Sequence, residues 1–357
     1  MKMMSIVGAR PQFIKIAPLV KCISEKGHKS TIVHTGQHYD GEMSGSFFRD
    51  LGIPAPDYNL NAGSGTHGHQ TGIMLEHTEH VLAKEHPDIV IVYGDTNSTI
   101  AGALAAAKMN IPIAHVEAGL RSFDREMPEE INRVVVDHIS TFLFCPTSSA
   151  VMNLEREGIL EKTYCVGDVM ADSFAMERIR AMESSKIIEN LHLVQGNYMV
   201  ATIHRPSNTD NPEHLFQVLL ALGDLDRQVV LPAHPRLSHE IASRKMEVPK
   251  NVIITKPLGY HDMLRLLASA DHIITDSGGI QKEAYMLGIP CVTLRNTTEW
   301  TETLQGNWNI LAWKASGSAR QRLRTAMLNS VPTRPRKDVF WPGASSRIVS
   351  ILEEELC

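Results

Sequence analysis

The sequence predicts an α/β protein made of two doubly wound domains facing a cleft. Short β-branched runs alternate with longer amphipathic stretches almost to the end of the chain, and the series restarts near residue 197. The segment between the two sets, "FAMERIRAMESSKIIENLHLVQG" (174–196), is polar and helical, as a connector would be. Alternation of this kind gives parallel sheets covered by helices on both faces. A chain of 357 residues is also long for a single core. The expected domains are 1–170, joined by a C-terminal helix at 344–357, and 171–343, with hinges in the connector and near 341–343.

The first strand is "MMSIV" (3–7), followed at once by "GARPQFIK" (8–15). A strand, a glycine and a helix start suggest nucleotide binding through G-x-G-x-x-G, yet only Gly8 is present. Arg10 carries a fixed positive charge, Pro11 suits the first helical position, and Lys15 follows about one turn later, so side-chain cations would replace a backbone cradle for an anion. The alternative for Arg10 is a surface salt bridge. Strands follow at "STIVHTG" (30–36), "DIVIVYGD" (88–95), "IPIAHVEAG" (111–119), "TFLFCPT" (141–147) and "TYCVGD" (163–168), with helical stretches at 14–26, 96–109 and 129–139 among the spacers.

Ligands of open parallel sheets gather at the carboxyl ends of strands. Here those ends carry acids and bases although the strands themselves are apolar: His34, Gln37 and His38, then Asp95, then Glu117. Asp95 and Glu117 end neighbouring strands in this reading, and Glu129 opens the helix "EEINRVVVDHI". Three carboxylates aimed at one cleft can supply a general acid and a general base, provided their surroundings separate their proton affinities. Asp95 can also cap the helix that starts at Thr96, and the two roles are compatible.

The second set comprises "NYMVATIH" (197–204), "QVVLPAHP" (228–235), "NVIITKPL" (251–258), "DHIITDSGG" (271–279) and "IPCVTLRN" (289–296). His204 and Arg205 end its first strand, where a histidine beside an arginine can bind a diphosphate and still exchange a proton; the alternative is a histidine bonded to backbone. Asp276, Ser277, Gly278 and Gly279 precede the helical "IQKEAYML". Glycines there let backbone approach a phosphate, which the first amides of the helix would hold. The plainer reading is a turn in which Asp276 or Ser277 caps the helix.

Composition narrows the classes. A net charge of -5 with 43% hydrophobic and 21% charged residues fits an ordinary soluble protein and gives no sign of nucleic-acid binding. Residues 1–20 mix charges with Pro11 and Pro18, unlike a signal peptide or membrane helix, so no membrane association and a cytoplasmic location are expected. The five cysteines are scattered, which favours reduced thiols over a disulfide framework. The 17 histidines contain no H-E-x-x-H and no matching acidic or cysteine set, so no metal is expected.

Seven segments in order, "GARPQFIKIAP", "VYGDTNST", "HVEAGLRS", "MPEEINRVVVDHIS", "TIHRPSN", "TDSGGIQKEA" and "LRNTTEW", resemble the non-hydrolysing UDP-N-acetylglucosamine 2-epimerases. The resemblance covers essentially the whole chain. It implies two Rossmann-like domains of the GT-B type, a UDP-sugar substrate, no NAD, metal or other cofactor, and a homodimer. It further implies inversion at C2 of UDP-GlcNAc to give UDP-ManNAc, through elimination of UDP to a 2-acetamidoglucal and re-addition. Asp95, Glu117 and Glu129 match the family's catalytic carboxylates and His204 its catalytic histidine. Arg10, Lys15, Arg205, Leu258, Met263, Ser277, Gly278 and Gly279 match positions that hold the UDP-sugar, Glu283 the carboxylate for the ribose hydroxyls, and Arg133, one helical turn from Glu129, a residue that would orient it.

Several positions depart from the family's commonest pattern. Where that reads G-T-R-P-E this chain has Ala9 and Gln12, and where it reads T-E-R it has Trp300 after Glu299. "GEMSGSFF" (41–48) differs from a segment that helps bind a second, regulatory UDP-GlcNAc in bacterial members, so that form of activation is not expected. "GARPQFIK" together with "TEW" is similar to a branch acting on UDP-2,3-diacetamido-2,3-dideoxyglucuronate, which makes Gln12 and Trp300 candidates for sugar selection. A GT-B glycosyltransferase would need an acceptor face, and no basic or apolar stretch marks one near Phe47 or Phe123; a nucleotide-sugar sensor would not need all three carboxylates and His204.

Overall fold

The computed structural model describes residues 1–37 and 48–356, with the side chains of residues 235 and 236 left aside. The chain divides into two compact units, Met1–Glu177 with Val339–Cys357, and Arg178–Asp338.

In the first unit the order is β1 (Lys2–Val7), α1 (Arg10–Glu25), β2 (Lys29–His34), β3 (Tyr58–Asn59), α2 (His67–Glu85), β4 (Ile89–Tyr93), α3 (Asn97–Lys108), β5 (Ile113–Val116), α4 (Pro128–Ile139), β6 (Phe142–Cys145), α5 (Ser148–Arg156) and β7 (Thr163–Cys165). The sheet is parallel in the order β3-β2-β1-β4-β5-β6-β7. Its core joins Met4, Ile6, Val90 and Val92 of the strands to Leu82 of α2 and Ala103 and Ala106 of α3. Helix α6 (Val169–Ser184) carries the chain out of this unit.

The second unit repeats the plan with α7 (Ile187–Asn190), β8 (Tyr198–Thr202), α8 (Pro206–Thr209), α9 (Pro212–Gly223), β9 (Gln228–Pro232), α10 (Pro235–Ser243), β10 (Val252–Thr255), α11 (Tyr260–Ala268), β11 (His272–Thr275), α12 (Gly278–Leu287), β12 (Cys291–Thr293), β13 (Asn309–Leu311) and α13 (Ala319–Asn329). Its parallel sheet runs β10-β9-β8-β11-β12-β13. Successive residues of a strand point to opposite faces, and the packing follows: Met199, Val229, Ile274 and Val292 join a cluster with α9, α10 and α13, whereas Tyr198, Val230, Ile273 and Cys291 join one with α7, α11 and α12. That two-sided burial is why these strands read as continuous apolar runs rather than as alternating ones.

The C-terminal helix α14 (Ala344–Leu356) returns to the first unit, where Glu353 pairs with Lys26 (2.6 Å) and His28 (2.8 Å) just beyond α1. The edge strands β3 and β13 have no counterpart in the sequence reading; the two residues of β3 are too few to show a period.

In both units the strand order reverses direction at one place, between β1 and β4 and between β8 and β11. Loops leaving adjacent strands there part to opposite faces and open a crevice, which is where ligands of open sheets bind. At the first reversal Gly8 is obligatory for a measurable reason: a Cβ on it would lie 1.9 Å from Thr35 Oγ1 and 2.2 Å from Ser98 Oγ, which are themselves hydrogen-bonded at 2.8 Å. Gly8→Ala is expected to destabilise the first unit by about 1–3 kcal/mol, read as a lower melting temperature; an unchanged melt would show that the turn has room.

Candidate active site

The first reversal point is assembled from the ends of β1, β4 and β5. Helix α1 starts at Arg10, so Pro11 is its second residue rather than its first. Arg10 is half-buried there. Gln12 is buried and wholly engaged: its Oε1 accepts from the Gly8 and Ala9 amides (2.8 and 3.1 Å), and its Nε2 donates to the Tyr93 carbonyl (2.9 Å) and Thr99 Oγ1 (3.1 Å). The amide thus ties the β1–α1 turn to the end of β4 and provides a donor that an ionised glutamate lacks.

Lys15, buried one turn further along α1, forms an ion pair with Glu117 Oε2. Glu117 follows β5 with a φ of 72°, and Gly94, beside the pair, has a φ of 63°. A non-glycine residue in the left-handed region is held there by its surroundings and is common at functional sites. Asp95, two residues beyond β4, pairs with Arg133. It does not start the next helix: Thr96 is the N-cap of α3, and its amide donates to Thr99 Oγ1 (3.1 Å).

Spacing along α4 suggested that Arg133 orients Glu129. In the fold Arg133 pairs with Asp95 and, at 2.7 Å, with Glu130. Glu130 in turn accepts from the Ser122 amide and hydroxyl (2.9 and 2.8 Å) and from the Phe123 amide (2.8 Å), so Arg133 and Glu130 fix the 120–123 loop beside Asp95. Glu129 is half-exposed on the first turn of α4. Around that loop Phe123, Ile131 and Val135 are exposed and line a pocket with Arg121, Arg125 and His138. This apolar face was not foreseen near Phe123, because its residues come from a loop and from the outer side of a helix. His38, Phe47 and most of 41–48 lie outside the described residues.

The second unit's reversal point centres on Asp276. Its buried carboxylate accepts from the amides of His204 (3.1 Å) and Arg205 (3.0 Å) and from Asn208 Nδ2 (2.9 Å), and lies 2.9 Å from His204 Nδ1. Burial pushes the Asp276 carboxyl upward, but the charge of His204 and these hydrogen bonds outweigh it and bring the value down to about 2. An ionised Asp276 therefore fixes the imidazole from behind and leaves its other edge toward solvent, the side chain being 45% exposed. Arg205 Nε donates to the Asp276 carbonyl (3.0 Å).

Neither expected cap forms: Asp276 is used by the 204–208 turn, and Ser277, the N-cap of α12, makes no side-chain capping bond. Gly278 and Gly279 open the helix. Against Gly278 lie Glu299 and the Trp300 indole, so that a Cβ on Gly278 would be 2.4 Å from Glu299 Oε1 and 3.2 Å from Trp300 Nε1. Trp300 is buried, with the Lys282 ammonium 3.9 Å from its ring centroid. Glu283 is buried on α12; Met263 belongs to the core cluster of α11, and Leu258 packs against that cluster.

Each reversal point thus holds cations beside ionisable acids or a histidine, a combination suited to binding an anionic leaving group and moving a proton. The family model for UDP-N-acetylglucosamine 2-epimerase matches residues 21–353. The chain belongs to the UDP-N-acetylglucosamine 2-epimerase family. Among curated members of this isomerase family, a Methanococcus maripaludis UDP-N-acetylglucosamine 2-epimerase homolog is 51% identical over 329 residues, 90% of each chain. The UDP-2,3-diacetamido-2,3-dideoxy-D-glucuronate 2-epimerase of Pseudomonas aeruginosa is 45% identical over 99% of each. A crystal structure of the Methanocaldococcus jannaschii UDP-GlcNAc 2-epimerase in complex with UDP-GlcNAc and UDP superimposes with a TM-score of 0.92 at 42% identity, over 99% of this chain and 100% of that one.

For this family member the sequence reading named neither Asn208 nor the pairing of His204 with Asp276. The only signal was that both residues end strands. Glu130, His115 and Asp137 were also passed over, since a polar residue inside an apolar run or on a helix does not announce its partner. No group of His, Cys, Asp and Glu among the described residues could hold a metal ion, and no helix among them is long and apolar enough to cross a membrane.

Proposed function

We propose that the chain interconverts UDP-GlcNAc and UDP-ManNAc without hydrolysis. A base takes the C2 proton as the C1–O bond to UDP breaks, and the electron pair of the C2–H bond becomes the C1=C2 double bond of a 2-acetamidoglucal. UDP then adds back to C1 while a proton reaches the opposite face of C2. The C2 hydrogen has no adjacent carbonyl to acidify it, so departure of the diphosphate must drive its removal. The observation that supports this reading most is 51% and 45% identity to proteins named for 2-epimerisation over nearly the whole chain.

Asp95, Glu117 and Glu129 share removal and return of the proton and support of charge on the ring, and His204 protonates or holds the leaving diphosphate. Arg10, Lys15, Arg205, Ser277, Gly278 and Gly279 hold UDP, Glu283 takes the ribose hydroxyls, and Leu258 and Met263 lie on the uridine side. Arg133 pairs with Asp95 and holds it in place. The working assembly is a homodimer, which a monomer mass by light scattering would refute.

Turnover in heavy water is expected to place deuterium at C2 of the product. Product without solvent hydrogen at C2 would end the elimination route, and a glycosyltransferase would leave C2 untouched. The same chemistry on UDP-2,3-diacetamido-2,3-dideoxyglucuronate is a second reading, favoured by the relative matched at 45% over 99% of each chain. Of the two selection candidates, Trp300 lies against the α12 turn, whereas the amide of Gln12 is committed to the β1–α1 turn. Anomeric-proton NMR with each sugar nucleotide separates the readings: the faster substrate is the native class.

A further inference from the structure

We propose that His115 and Asp137, both buried in the first unit, are positioning residues that hold the turns bearing Asp95 and Glu117 in their working arrangement. The inference rests on the roles proposed above for those two carboxylates.

His115 lies on β5 and is fully buried, and Asp137 on α4 is 1% exposed. His115 Nε2 donates to the Gly94 carbonyl at 2.8 Å, and Nδ1 lies 2.7 Å from Asp137 Oδ1. Asp137 Oδ2 accepts from the Gly119 amide at 3.1 Å and from Arg121 Nη1 at 2.6 Å. Arg121 Nε and Nη2 donate to the two oxygens of Glu157, each at 2.7 Å. Burial pushes the Asp137 carboxyl upward, but the charges and hydrogen bonds of His115 and Arg121 more than offset it and hold it below its ordinary value.

One chain of hydrogen bonds therefore runs from Gly94, the residue before Asp95, to Gly119, two residues after Glu117. Between those ends Glu117, which is not a glycine, has a φ of 72°. Such backbone persists only where its surroundings over-determine it. The Gly94 backbone also lies against the Lys15–Glu117 pair, since a Cβ there would be 2.9 Å from Lys15 Nζ and 3.1 Å from Glu117 Oε2. A shift of this turn would move Asp95 and disturb Glu117 together. Misplacing a reacting group by about 1 Å can cost about 10²-fold in rate.

The test compares His115→Leu, His115→Gln, Asp137→Asn and Asp95→Asn in the full chain, with folding checked by circular dichroism and turnover measured well below each melting temperature. His115→Leu is expected to lose about 10²-fold in kcat with KM and UDP affinity little changed. His115→Gln, which restores a donor for the Gly94 carbonyl, should recover about tenfold of that loss. A structural role alone would lower the melting temperature and leave kcat at the wild-type value, which overturns the proposal. If His115→Leu does not fold, His115→Gln and Asp137→Asn are judged by the same criterion. An active Asp95→Asn enzyme overturns the carboxylate roles themselves; an inactive one beside wild-type kcat in the His115 and Asp137 variants overturns only the positioning role.

Discussion

Glu117→Gln is expected to abolish turnover while UDP still binds. The substitution preserves size and the backbone at φ 72°, and removes only the charge that pairs with Lys15 and the capacity to accept a proton. General acid–base participation is worth about 10²–10⁴-fold, so a loss in that range is expected in kcat, together with loss of C2 exchange in heavy water. Calorimetric UDP binding provides the control, because Arg205, Ser277, Gly278 and Gly279, proposed to hold UDP, belong to the second unit and are unchanged by the substitution. Full activity would remove Glu117 from the chemistry.

Asp276→Ala is expected to have the largest effect on stability. It removes the acceptor for the His204 and Arg205 amides and for Asn208 Nδ2 at once. Each buried donor left unpaired costs about 1–3 kcal/mol, so the second unit should melt many degrees earlier and lose the fixed orientation of His204. The pH dependence follows from the same carboxylate, which titrates at about 2 in the folded chain against 3.8 ordinarily. The unfolded chain binds more protons between those values, so this stabilisation is complete above pH 3.8 and is lost as pH falls through about 2. Acid melts of wild type and Asp276→Asn should converge at the low end; a constant gap would contradict the assignment.

Much of the fold was legible because parallel strands buried on both faces read as uninterrupted apolar runs, and their restart at 197 marks a second sheet. The candidate residues were legible for a related reason: an acid, base or glycine at the end of an apolar strand has no packing role to explain it. Gln12 shows where such reading stops. From sequence it is a lost acid with a possible bearing on the sugar; in the fold its amide bonds the Gly8 and Ala9 amides and reaches Tyr93 and Thr99. Arg133 shows it again: helical spacing pointed to Glu129, and packing adds ion pairs with Glu130 and, from another element, Asp95.

By itself the sequence determined which chemical groups stand at which strand ends, because hydrophobic periodicity and turn chemistry are local. The tertiary structure alone decided which of those groups meet. His204 finds Asp276, 72 residues away, because β8 and β11 are neighbours in the sheet, and His115 finds Gly94 because β4 and β5 pair in register. Those partnerships depend on strand order, a long-range property that no window along the chain contains.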